Sequence, residues 1–242
     1  MNYLYHGSHT KGLKTLEPHK STHGTYVYAT PFRELSVIFS GKDGDDLVYS
    51  LFRTSKNEPW KLVERLPHAF ETMYEGSSSI YTVEDTTFKD IKTGFAELVS
   101  ESAVPVVSEC ELKIVYDELE HLEMEGLIEI YRYPKRPEYI PEDDHDLLEK
   151  EIRYAGNPPT RKDFERLLLL HPTLLDKIND YCISKSPEFQ KFTKLDILAI
   201  FDDFLVRAKN NPSKEYFLKS AKEMIILTFP ELAPSLDEKY PD

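Results

Sequence analysis

Tyr3-Leu4-Tyr5-His6-Gly7-Ser8 is the stretch on which the fold turns. Its first half is aromatic and apolar, the composition of a β-strand. Its second half is a histidine, a glycine and a hydroxyl. A strand that ends this way carries hydrogen-bonding groups and a residue without a side chain to the edge of a sheet. The question is whether other segments supply groups for the same edge.

Two do. Tyr26 to Ala29 reads as a second strand, rich in β-branched and aromatic residues. Thr30-Pro31 follows it and reads as a helix start, with Thr30 as cap and Pro31 in the first turn. Phe32, Leu35 and Phe39 recur on one face of that helix. Phe95 to Val99 reads as a third strand, and Val104 to Val107 follows it. Further strands are expected at Ile80 to Val83, Cys110 to Val115 and Leu127 to Tyr131. A short helix is expected over Asp117 to Glu125, and Trp60 to Tyr74 is ambiguous.

The pattern changes at Tyr131 to Asp144, where prolines and charges cluster. Beyond it the chain reads as helical. Ile197, Leu198, Phe201, Phe204 and Leu205 form one apolar stripe, and Phe217, Leu218, Ala221, Met224 and Ile225 form another. Helices are expected over Asp143 to Tyr154, Thr160 to Leu170, Pro172 to Ser184, Thr193 to Ala208 and Ser213 to Phe229. Thr160 with Asp163, and Ser213 after Pro212, mark two starts. The class is therefore α+β, with a domain over residues 1–133, a linker over 134–144 and an all-helical domain over 145–242.

Composition narrows the function classes. The formal net charge of -13 argues against broad, nonspecific nucleic-acid binding. No apolar run is long enough to span a membrane, and no secretory leader is visible. The two cysteines, Cys110 and Cys182, show no metal spacing and read as buried thiols of a cytoplasmic protein. His19 and His23 are four residues apart, but Pro18, Ser21, Thr22 and Gly24 make that stretch a loop, so no metal site is assigned. The run Glu142 to Asp146 reads as a solvated linker and helix start.

The three segments resemble the motif strands of ADP-ribosyltransferases of the His-Tyr-Glu class, which includes diphtheria-type toxins and poly(ADP-ribose) polymerases. His6-Gly7-Ser8 is similar to the first motif. Tyr28, with Ser36 eight residues later and Phe39 three after that, is similar to the second. Glu97 stands where the class carries its glutamate. The layout is also similar to that of the rifampin ADP-ribosyltransferases. The resemblance implies an ADP-ribosyltransferase-like split mixed β-sheet and NAD as substrate, with no metal.

It also implies roles. His6 and Gly7, with Ser8 beside them, would hold NAD. Tyr28 and Phe39 would stack the nicotinamide, and Ser36 would donate to its amide. Glu97, with His6 and Tyr28, would form the catalytic set. Cleavage of the nicotinamide–ribose bond develops positive charge on the ribose, so a carboxylate is the required residue type. Asp90 is a competing acid. The acceptor is left open among protein, nucleic-acid base, small molecule and water. Two alternatives stay open: an inactive nucleotide- or protein-binding module on the same fold, and an RNA 2′-phosphotransferase, for which the motif positions lack basic residues.

Overall fold

A computed structural model describes residues 2–21, 23–42, 46–55, 57–210 and 217–241. The chain is mixed α and β, with about 39% helix and 22% strand, so the class read from the sequence holds. It divides into two compact units. The first contains residues 1–44, 52–61 and 73–129. The second contains residues 45–51, 62–72 and 130–242. This differs from a boundary at 134–144, because 45–51 and 62–72 cluster with the C-terminal half. Strand residues within 45–51 and 62–72 thus cluster with the helices of 145–242.

In the first unit, a four-stranded sheet has the order β1–β7–β9–β2: Tyr3–Ser8, Ser78–Glu84, Val104–Leu112 and Thr15–Leu16. A three-stranded sheet has the order β3–β4–β8: His19–Ser21, Gly24–Ala29 and Leu98–Ser100. Each of their ladders is antiparallel, where a mixed sheet was expected. Antiparallel ladders allow one face to meet the core and the other to meet solvent, as the exposed residues of β9 show.

Both sheets feed one core: Leu4, Leu16, Val27, Ala29, Tyr81, Val83 and Val104, with Leu13, Phe88, Leu98 and Val106 against it. Full burial of each Val, Leu or Phe side chain among them contributes about 1.5–3 kcal/mol.

Several expectations shift. Phe95 to Glu97 precede β8 rather than starting it. The two strands expected across 104–115 are one strand, β9, and Val115 already belongs to the helix α3, Val115–Met124. A register shift opposite Thr82 and Val83 breaks the alternation of β9. Cys110, expected in the core, is therefore exposed, and both cysteines are free. The loop expected around His19 is the strand β3, paired with β4.

The helix α1 covers Arg33–Ile38 and packs on β1. A Cβ on Gly7 would lie 2.1 Å from the Ser36 carbonyl oxygen and 2.9 Å from the Ser40 Cβ. Glycine is therefore what lets the helix approach the strand. Gly7→Ala is expected to destabilise the first unit by about 1–3 kcal/mol, as overpacking does, measured by denaturant unfolding.

The ambiguous stretch resolves into the strand β6, Trp60–Glu64, and the helix α2, Ala69–Met73. With β5, Tyr49–Phe52, and β10, Ile128–Tyr131, β6 forms a further sheet of order β10–β6–β5. The helices α4 His145–Ile152, α5 Glu165–Leu170, α6 Leu175–Lys185, α7 Lys194–Asn210, α8 Leu218–Thr228 and α9 Ala233–Lys239 follow. The stripe from Phe217 to Ile225 is buried as its spacing predicts. Asp163 reaches back to the Thr160 backbone N–H at 2.7 Å, confirming that start. The helix start expected at Ser213 lies outside the described residues.

The expected solvated linker is the largest departure. Asp144 is only 2% exposed. Its carboxylate accepts from Arg65 at 2.8 Å and Arg136 at 2.6 Å, and meets His171 Nδ1 at 3.0 Å. His171 Nε2 lies 2.7 Å from the Leu47 carbonyl oxygen. Arg65 also grips Asp146 through both terminal nitrogens at 2.8 Å. An acidic run that looks hydrophilic in sequence thus supplies a buried ion cluster. Among the described residues, no helix is long and apolar enough to cross a membrane.

Candidate functional site

The site is built around Thr30, at the end of β4. Alternation along β4 buries Val27 and Ala29 and turns Tyr26 and Tyr28 to the other face. Those two rings meet edge to face, 6.0 Å apart. Thr30 then pairs with β1: Tyr5 N–H donates to the Thr30 carbonyl at 2.8 Å, and Thr30 N–H donates back at 2.9 Å. The Thr30 hydroxyl donates to the Ala96 carbonyl at 2.7 Å and accepts from Phe32 N–H at 3.2 Å. One residue therefore joins the neighbour of His6 to the neighbour of Glu97. The ladder of Tyr28 with Val99 and Ala29 with Leu98 continues that connection.

His6 is fixed by the second segment. Its Nδ1 lies 2.7 Å from the Tyr28 carbonyl oxygen. A carbonyl only accepts, so Nδ1 carries the hydrogen. Burial lowers the His6 pKa, more than the Tyr28 contact raises it. The ring is thus the neutral Nδ1–H tautomer, and Nε2 presents a lone pair.

Glu97 is half-buried, and burial raises its pKa above the ordinary value. The Thr93 hydroxyl, 3.3 Å from Oε2, and the charge of His23 partly offset this. His23 sits where the β3–β4 hairpin turns, the loop first read for metal-like spacing. Among the described residues, no cluster of three His, Cys, Asp or Glu could hold a metal.

Phe39 meets Phe95 edge to face at 5.6 Å, which ties α1 to the Glu97 segment. The sandwich expected between Tyr28 and Phe39 therefore starts from two rings that each already have an aromatic neighbour. Tyr28 Oη is buried and has no hydrogen-bond partner among the described residues. Such an orphan hydroxyl costs about 1–3 kcal/mol unless something satisfies it.

Three of the expected site residues have roles within the fold. Ser36 is 1% exposed, and its hydroxyl donates to the Arg33 carbonyl at 2.6 Å. Its proton is used inside its own helix, so it is not aimed at an amide. Gly7 is demanded by the packing of α1, as shown above. Ser8 accepts from Thr10 N–H at 3.1 Å and shapes the turn after β1.

Asp90, the competing acid, is exposed. It accepts from the Lys92 backbone at 2.8 Å and its ammonium at 2.5 Å, contacts that lower its pKa. Thr30, Thr93 and Phe95 were not singled out as site residues. Thr30 was legible only as a helix cap, and the other two carried no signal apart from their nearness to Glu97 in sequence. No family model, curated protein or solved structure matches the chain.

Proposed function

We propose that the first unit is an ADP-ribosyltransferase-type domain that cleaves the nicotinamide–ribose bond of NAD and passes ADP-ribose to an acceptor or to water. The observation that carries this reading is Thr30, whose backbone and hydroxyl tie the His6 strand to the Glu97 segment. The motif order of the sequence and the hydrogen-bond order of the structure agree.

The neutral His6 would accept a hydrogen bond from a ribose hydroxyl at Nε2, with its ring held by the Tyr28 carbonyl. The Tyr28 ring would cover the nicotinamide, and its orphan Oη offers a donor and an acceptor. As nicotinamide departs with the bonding electron pair, positive charge grows on the ribose. An ionised Glu97 beside that charge stabilises it.

Incubation with NAD followed by quantification of free nicotinamide tests the reading. Release is expected. No release, together with no rise in melting temperature on adding NAD, would sink it. A second reading is a binding module on the same fold, favoured by the Ser36 hydroxyl being used internally. NAD protection against heat without nicotinamide release would support that module.

The pH dependence follows from Glu97. Only its ionised form stabilises the cation, so turnover rises as pH increases through its pKa. That limb should lie above the ordinary glutamate value of 4.5. Thr93→Val removes a contact that lowers the pKa, so the limb should move further up. A kcat profile measured across pH checks both the position and the direction.

A further inference from the structure

We infer that Arg53, gripped by Phe32 and Trp60, is an anion subsite for the phosphate groups of the substrate; its assignment to a dinucleotide rests on the function proposed above. The Arg53 Cζ lies 4.6 Å from the Phe32 ring centroid and 4.4 Å from that of Trp60. The two rings stand edge to face, 5.9 Å apart. Such cation–π contacts hold a guanidinium against aromatic rings. They do not neutralise its charge, and a guanidinium carries five N–H donors for an anion.

What Arg53 lacks is the second observation. Arg33, Arg65, Arg136, Arg161 and Arg207 each meet a carboxylate. Among the described residues, Arg53 has no carboxylate or hydrogen-bond acceptor. The chain offers 43 acidic side chains against 30 basic ones, so a half-buried arginine left without one is unusual. Beside it, the indole N–H of Trp60, a residue only 6% exposed, is buried and has no acceptor among the described residues. Two unsatisfied donor groups therefore adjoin in the first unit. A planar fork with a free edge is matched by a phosphate, which it can hold through two parallel bonds.

The position connects this fork to the site. Phe32 donates its backbone N–H to the Thr30 hydroxyl, the same hydroxyl that holds Ala96 beside Glu97. A diphosphate extending from a ribose near Glu97 offers two phosphates to such a fork.

Calorimetric titration with ADP-ribose, nicotinamide riboside and inorganic pyrophosphate tests the inference, on the wild type, Arg53→Ala and Arg53→Lys. Circular dichroism verifies folding, and the lysine variant keeps the charge if the alanine variant unfolds. ADP-ribose affinity should fall at least about tenfold in Arg53→Ala, the loss of charged hydrogen bonds. Arg53→Lys should recover only part of it, and nicotinamide riboside should bind all three alike. Equal ADP-ribose affinity in wild type and variants would overturn the inference, as would an equal loss for nicotinamide riboside. If neither ADP-ribose nor, in the assay above, NAD binds at all, the proposed function fails separately. The subsite is then judged on pyrophosphate: binding by the wild type that Arg53→Ala loses supports it, and no binding overturns it.

Discussion

Glu97→Gln is expected to lower nicotinamide release by about 10²–10³-fold, the range for losing one preorganised electrostatic group at a reacting centre. NAD affinity should change little, because the amide keeps the size of the carboxyl and can still accept from Thr93. Stability should move the other way. Burial raises the Glu97 pKa in the folded state, so the folded chain holds this proton more tightly than the unfolded one. Stability is therefore lost as pH rises from the ordinary carboxyl pKa through the raised one. At neutral pH the ionised carboxylate opposes folding, and the glutamine variant should melt at or above the wild-type temperature. Loss of activity with retained or increased stability marks a functional residue. Asp90→Asn should leave turnover unchanged, because Asp90 is exposed and held by Lys92. Full activity in Glu97→Gln would move the catalytic role elsewhere.

Asp144→Ala should destabilise the second unit by about 3–5 kcal/mol, the cost of breaking a buried ion cluster by removing one partner. Arg65, Arg136 and His171 would all lose their shared carboxylate. Asp144 has a left-handed backbone, with φ of 55°. Asparagine tolerates that conformation well. Asp144→Asn should therefore cost nearly as much as the alanine change, which separates charge from backbone strain. Acid should narrow the gap. Burial alone would raise the Asp144 pKa, but His171 and Arg136 outweigh it and hold the carboxyl well below its ordinary range. Its contribution is complete above the unfolded-state pKa and is lost as pH falls through the folded one. Denaturant unfolding at neutral pH and in acid measures both effects.

The contrast between these two acids shows what the sequence made legible. Glu97 was singled out because a resemblance placed it third in an ordered set, and the backbone ties that segment to the other two. Asp144 was read as a solvated linker residue because its neighbours are acids and prolines. Nothing local reveals that Arg65, far upstream in the chain, reaches it. The helical stripes of the C-terminal half were legible because periodicity is a local signal. The short strands β2, β3 and β5 were not, since two to four residues carry too little pattern and their partners decide their state. Ser36 has the spacing of a ligand contact and the geometry of an internal helix hydroxyl. Gly7 has the look of a binding glycine and is required by packing. Arg53 gave no sequence signal, because its distinction is the carboxylate it lacks.

The most direct test of the central claim is a structure of the protein with NAD bound. The account predicts the nicotinamide ribose between His6 Nε2 and the Glu97 carboxylate, with the Tyr28 ring against the nicotinamide. NAD bound elsewhere on the chain, or bound with Glu97 out of reach of that ribose, would contradict it.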